Sequence, residues 1–264
     1  MRRLRALTSA GLLAGALLTA GAFAPFALAA PAAQPGYSND PALKPSQDFT
    51  GVWQTDTYEP HLTPVWGGEV PFTKEGLAQF RKNARNIKTQ PAKGLCLAFG
   101  TPRYYVSPYP FMVQKTPRRF TFTHEENRTF RHIYMNVGHF DPDVWDPSYV
   151  GDSTAKWEGD VLVIDAANFN GKIWLDDAGT PTSEQLHLTE RWRKLEDGRL
   201  EAVFTITDPV MFKQTWTARR VFQPRPDVEL VDDFVCGEKH RDLTGVKGIE
   251  KLVDVPPIKQ ELGG

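Results

Sequence analysis

The sequence predicts an all-β fold, a single antiparallel β-barrel with one short amphipathic helix near its N-terminus. Three observations predict it. Short runs rich in β-branched and aromatic residues follow one another from Tyr104 onward. Turn residues separate them at close spacing, and 7 Trp, 7 Tyr and 16 Phe supply the bulk that a sheet interior needs.

Residues 1–29 read as a signal peptide. Met1-Arg2-Arg3-Leu4-Arg5 gives a basic start, an Ala/Leu/Gly stretch runs to Phe26, and Ala27-Leu28-Ala29 is a small-residue cleavage pattern. An apolar stretch of this length also fits an uncleaved membrane anchor, but Pro25 and the Ala-x-Ala pattern favour cleavage. The expected location is periplasmic or secreted, with no membrane attachment after cleavage. Losing Arg2, Arg3 and Arg5 reduces the 31 basic residues to 28 against 32 acidic ones, a net charge of about −4 that offers nucleic acid no basic face. Residues 30–47, rich in Ala, Pro, Ser and Asn without apolar periodicity, are expected to form a flexible leader.

The barrel domain is expected over 48–240, opening at Asp48-Phe49-Thr50-Gly51-Val52-Trp53, with a loosely packed tail over 241–264. Thr73 can cap a helix, and Leu77, Phe80, Ala84 and Ile87 recur at helical spacing, so the helix is expected near 74–87. Gly76 weakens its first turn. Strands are expected from Phe111 to Gln114, Arg119 to His124, Thr129 to Met135, Ser153 to Trp157, Val161 to Ala166, Leu186 to Leu195, Leu200 to Ile206 and Thr215 to Phe222. Turns are expected at Glu126-Asn127, Glu158-Gly159-Asp160, Asp197-Gly198 and Asp208-Pro209. The two cysteines, Cys96 and Cys236, read as a disulfide, because an even count in an exported chain is usually oxidised.

One hairpin concentrates candidate chemistry. A two-residue Asp197-Gly198 turn would set Leu195 opposite Leu200, Arg191 opposite Phe204 and His187 opposite Asp208. Side chains alternate faces, so His187, Arg191 and Asp208 would then share an inward face with Thr189, Phe204 and Ile206. Burying an Arg or Asp is costly unless it is paired, so this face reads as a polar floor in an apolar cup. The same residues read equally as a salt bridge closing the end of a sheet. Asp165 sits in a strand apolar on both faces and needs a partner, for which Arg131 and Arg191 are candidates. His124, His132 and His139 fit neither strand nor helix spacing for a metal site. No Gly-x-Ser-x-Gly elbow or phosphate loop occurs, and no cofactor is expected.

The segment Trp157-Glu158-Gly159-Asp160-Val161-Leu162-Val163-Ile164-Asp165 resembles the Trp-Glu-Gly-Asp-x-Leu-Val-x-Asp signature of a large, mostly uncharacterised family of secreted bacterial proteins. His187, Glu190-Arg191, Asp208-Pro209 and Trp216 match its later elements, and Cys96, Gly100, Pro102 and Arg103 match an earlier one. Val161, Ala98 and Thr215 depart from the pattern. The resemblance implies a lipocalin-like barrel and no particular reaction. It implies a site at His187, Arg191 and Asp208, with Asp165, Arg131, Trp157, Glu190 and Trp216 as secondary members.

Taken together, these features point first to a protein that binds a small hydrophobic or aromatic molecule in the barrel lumen. Two alternatives stand beside it. One is a cofactor-independent lyase, isomerase or hydrolase with His187 as base, Asp208 orienting it and Arg191 facing an oxyanion. The other is a solid-core β domain that binds a protein partner.

Overall fold

The computed structural model of the protein describes residues 43–55, 57–86 and 97–230. The expected signal peptide, most of the leader, the tail over 241–264 and the Cys96–Cys236 disulfide lie outside the described residues. The described chain is mostly β: β1 (Gly51–Thr55), α1 (Lys74–Arg85), β2 (Phe111–Thr116), β3 (Arg119–His124), β4 (Thr129–Met135), β5 (Asp152–Glu158), β6 (Val161–Ala167), β7 (His187–Lys194), β8 (Leu200–Thr207) and β9 (Trp216–Pro224). The nine strands close into a barrel in chain order, β9 returning to pair with β1.

The barrel is not wholly antiparallel, as the sequence led one to expect. β4 and β5 run parallel, meeting at Tyr134↔Thr154 and Met135↔Ala155, while every other neighbouring pair is antiparallel. Closure requires this, because going once around a ring the strand direction must reverse an even number of times, and nine strands leave one pair that cannot reverse. A parallel pair needs a crossover rather than a tight turn, and the segment 136–151 supplies it along the outside of the wall.

Alternation places aromatic side chains inside. Phe111, Phe122, Trp192, Phe204 and Phe222 surround Tyr105, which comes from the 3-10 turn Arg103–Tyr105, with ring centroids 4.9 to 6.2 Å away. At this level the interior is filled with side chains. Within it lies a buried ion pair, Arg131 Nη1 to Glu190 Oε1 at 2.7 Å. Arg131 also donates to Ser153 Oγ and Tyr105 Oη, and Trp192 Nε1 donates to Glu190 Oε2 at 2.7 Å. Every charge in this network has partners, which is the condition for keeping charge in a core. Trp53, in the middle of β1, is buried, and its Nε1 donates to the Phe49 carbonyl.

α1 lies outside the ring. Thr73 caps it, its Oγ1 accepting from Gly76 N at 3.0 Å, and Gly76 N–Cα lies so close to the neighbouring loop that a Cβ would sit 2.1 Å from the Met211 carbonyl oxygen. The residue that weakens the helix on propensity grounds is thus the one that lets it dock. Residues 43–47, expected to be part of the leader, meet the β5–β6 turn: Gln47 Nε2 donates to Gly159 O and Lys44 pairs with Asp160.

Candidate functional site on the outer wall

The β7–β8 register differs by one residue from the expected one. The loop has three residues, Glu196-Asp197-Gly198, closed by Leu195 N to Arg199 O at 2.8 Å, with Gly198 at φ 85°. This is the type I turn with a left-handed glycine that three-residue hairpins use. His187 therefore faces Thr207 and Arg191 faces Val203. A one-residue change of register turns every side chain over: Leu188, Glu190 and Trp192 point inward, and His187, Thr189 and Arg191 lie on the outside.

The expected trio does not assemble. Asp208 is buried beyond the end of β8, where its carboxylate accepts from Ser183 N and Oγ and from the amides of Val210 and Met211. It ties the loop on which α1 docks. Arg191 pairs with Glu158 at 2.9 Å across the outer wall. Of the secondary residues, Arg131 and Glu190 form the interior ion pair, Trp216 is core beside Phe212, and Trp157 packs on Phe49 and Phe120. Arg103 is also buried, stacked over Phe99 and paired with Asp177.

His187 and Asp165 do meet, and His139, whose spacing gives it no place in a metal site, joins them. Asp165 faces Thr189 across β6 and β7, so His187, two residues earlier, is its diagonal neighbour on the same face. His187 Nε2 is 2.8 Å from Asp165 Oδ1, and Thr189 Oγ1 donates to the same oxygen at 3.4 Å. The other carboxylate oxygen, Oδ2, lies 3.0 Å from His139 Nε2. His139 arrives on the crossover segment, and its Nδ1 is 2.9 Å from Asp152 Oδ2, which also accepts from Phe140 N at 2.7 Å. The result is a continuous chain, Asp152–His139–Asp165–His187, laid across β5, β6 and β7. Neither arginine considered as a partner for Asp165 supplies it.

The chain has a defined electrostatic sense. A neutral imidazole has one N–H, so a ring with a carboxylate at each nitrogen fits the imidazolium. Burial opposes that charge on His139, but the hydrogen bonds and charges of Asp165 and Asp152 outweigh it and hold its pKa above the ordinary histidine value. Burial would likewise raise Asp165, yet the hydrogen bond from His139 and the charge of His187 bring it below the ordinary carboxylate value. His187 ends the chain with its side chain 47 % exposed. By contrast, burial and the charge of Arg131 push the interior His124 down to about 3, so it is a neutral ring stacked on Tyr104.

Asp165, Thr189 and Arg191 also line a groove of about 680 Å³ floored by Thr154 and Val163, with Lys156 and Glu158 toward the far end and the segment Asn136–Gly138 as one wall. His187 is not part of the groove's lining and stands beside it, joined through Asp165; it is four residues from Arg191 on the same strand, roughly 13 Å. Among the described residues, no group of three or more His, Cys, Asp or Glu side chains could hold a metal ion.

Fold and site define a class, a closed β-barrel with a histidine–carboxylate chain on its outer wall. No model of a known protein family matches the chain, and no curated protein matches it.

Proposed function

We propose that the protein is an exported, lipocalin-like barrel that binds a small organic molecule in the outer groove of β5–β7 and exchanges a proton with it through His187. The observation that carries this reading is the Asp165 carboxylate held between two imidazoles, at 2.8 and 3.0 Å. With Nε2 committed to Asp165, the proton is exchanged at Nδ1, and Asp165 stabilises the imidazolium that results. Arg191 and Lys156 hold a carboxylate, phenolate or carbonyl at the other end of the groove. The barrel interior, filled by Tyr105 and its aromatic neighbours, serves as the rigid support. Closure of the barrel supports the lipocalin-like part of the reading, as does the signature around Trp157.

The test is a screen of small carboxylic acids, phenols and ketones, followed by His187→Gln. The substitution should leave the melting temperature within a degree or two, since the ring is on the outer wall. Any turnover should fall by roughly a hundredfold or more. Unchanged turnover and affinity in His187→Gln would remove the proposal.

A further inference from the structure

The geometry points to a second site, for a quaternary ammonium group, in an aromatic cage where β4 and β5 separate. It goes beyond the proton-transfer reading and shares only Asp152 with it. The parallel ladder between these strands spans two residue pairs, and the wall beside it is closed from inside by Arg131 donating to Ser153 and from outside by the crossover segment. On the outer face there, Tyr134 meets Phe140 edge to face at 5.6 Å, and Phe140 stacks on Trp145 at 4.8 Å. Phe130 joins them from the same face of β4. Phe130, Phe140 and Trp145 are 57 %, 39 % and 54 % exposed, an unusual amount of aromatic surface to leave in water at one place.

These rings line a cavity of about 240 Å³ whose wall also includes Asp146, Asp152 and Asn168. Drug-sized pockets start near 300 Å³, so this one suits a head group or small ion. Its charge selects the ion. Residues 137–148 carry Asp141, Asp143 and Asp146 and no Lys or Arg, and their one histidine, His139, spends its charge on Asp152 and Asp165, so Asp146 is the carboxylate left to the cavity. Arg131 touches the cavity but is 1 % exposed, its guanidinium taken up by Ser153, Tyr105 and Glu190. His132 is held below the ordinary histidine value, first by burial and then by Arg119, and so adds no cation at neutral pH.

Aromatic faces carry negative potential and attract cations, and quaternary ammonium groups are the ligands such cages recognise because they shed water readily. The cage is preorganised: Phe140 N is fixed to Asp152, Trp145 N donates to Asp141 O at 3.0 Å, and Asn168 Nδ2 donates to Trp145 O at 3.1 Å. A trimethylammonium group, free or as a phosphocholine head group, fits this chemistry.

The experiment is titration of tetramethylammonium and choline into the protein, followed by tryptophan fluorescence and calorimetry, with sodium chloride at equal ionic strength as control. The expected result is saturable binding of both cations and binding of 3,3-dimethylbutan-1-ol, the uncharged isostere of choline, weaker by about tenfold. Trp145→Ala should abolish binding and Trp145→Phe should retain part of it; the exposed side chain makes both variants foldable, which circular dichroism checks. Co-sedimentation with phosphatidylcholine vesicles would assign the lipid head group, and cation binding without it a free ion. Equal binding of the alcohol, no saturable cation binding, or no effect of Trp145→Ala would overturn the assignment.

Discussion

His139 decides how the outer chain behaves with pH. Its folded pKa is raised, so the stability it contributes is fully present below the ordinary histidine value of 6.5 and is lost as pH rises through the raised value. Asp165 is lowered, so its contribution is present above 3.8 and is lost as pH falls through its folded value. The bridge is therefore complete in mildly acidic to neutral solution. Both groups are partly exposed, and screening keeps the effect to on the order of 1 kcal/mol, about 2–4 °C in a domain of this size. His139→Gln should melt lower than the parent by that margin near pH 6, with the gap closing as the pH is raised through the elevated folded value of His139; a gap that widens with pH would contradict the bridge. Part of this was legible in the sequence. Asp165 stood out as a charge needing a partner, because its strand is apolar on both faces. His139 and Asp152 did not, since the crossover brings them together and spacing along the chain says nothing about a loop laid over a sheet. The run His139-Phe140-Asp141-Pro142-Asp143-Val144-Trp145-Asp146 was the available signal, dense in aromatic and acidic residues in a segment without strand character.

Elements were easier to read than their registers. β3 and β4 fall where alternation places them, and β2 and β5 to β9 differ by a residue or two at their ends, because period two and β-branched composition mark strands locally; β1 was expected only as the start of the domain. The β7–β8 register turned on whether the Asp197-Gly198 loop holds two residues or three, and both lengths use the same dipeptide. That one-residue difference moved Glu190 and Trp192 into the core and His187 out of it. α1 gives the clearest disagreement between propensity and packing. Propensity alone predicts that Gly76→Ala gains about 1 kcal/mol. The docked helix predicts the opposite, a loss of about 1–3 kcal/mol, because the new Cβ overlaps the Met211 carbonyl and backbone must move. Denaturant unfolding of Gly76→Ala measures the sign, and a stabilised variant would mean that α1 does not dock on that loop.

At the scale of the whole molecule, the barrel separates support from chemistry. Its interior spends aromatic bulk and one satisfied ion pair on rigidity; removing one member of such a pair costs about 3–5 kcal/mol, so the interior tolerates little rearrangement for a ligand. The outer wall is where strands of fixed register present His187, Asp165 and Arg191, and where the crossover demanded by nine-strand closure adds His139 and the aromatic cage. The inward polar floor expected from the sequence and the observed outer site share His187 and Arg191, which is why the candidate residues were partly found while their surroundings were not. Chemical-shift mapping of amide and indole resonances with a ligand from the acid, phenol and ketone screen tests this division most directly. Shifts at Asp165, His187 and Thr189, with the Trp192 indole and Tyr105 unmoved, are the predicted result; shifts centred on Trp192 and Tyr105 would place the ligand in the lumen and contradict the account.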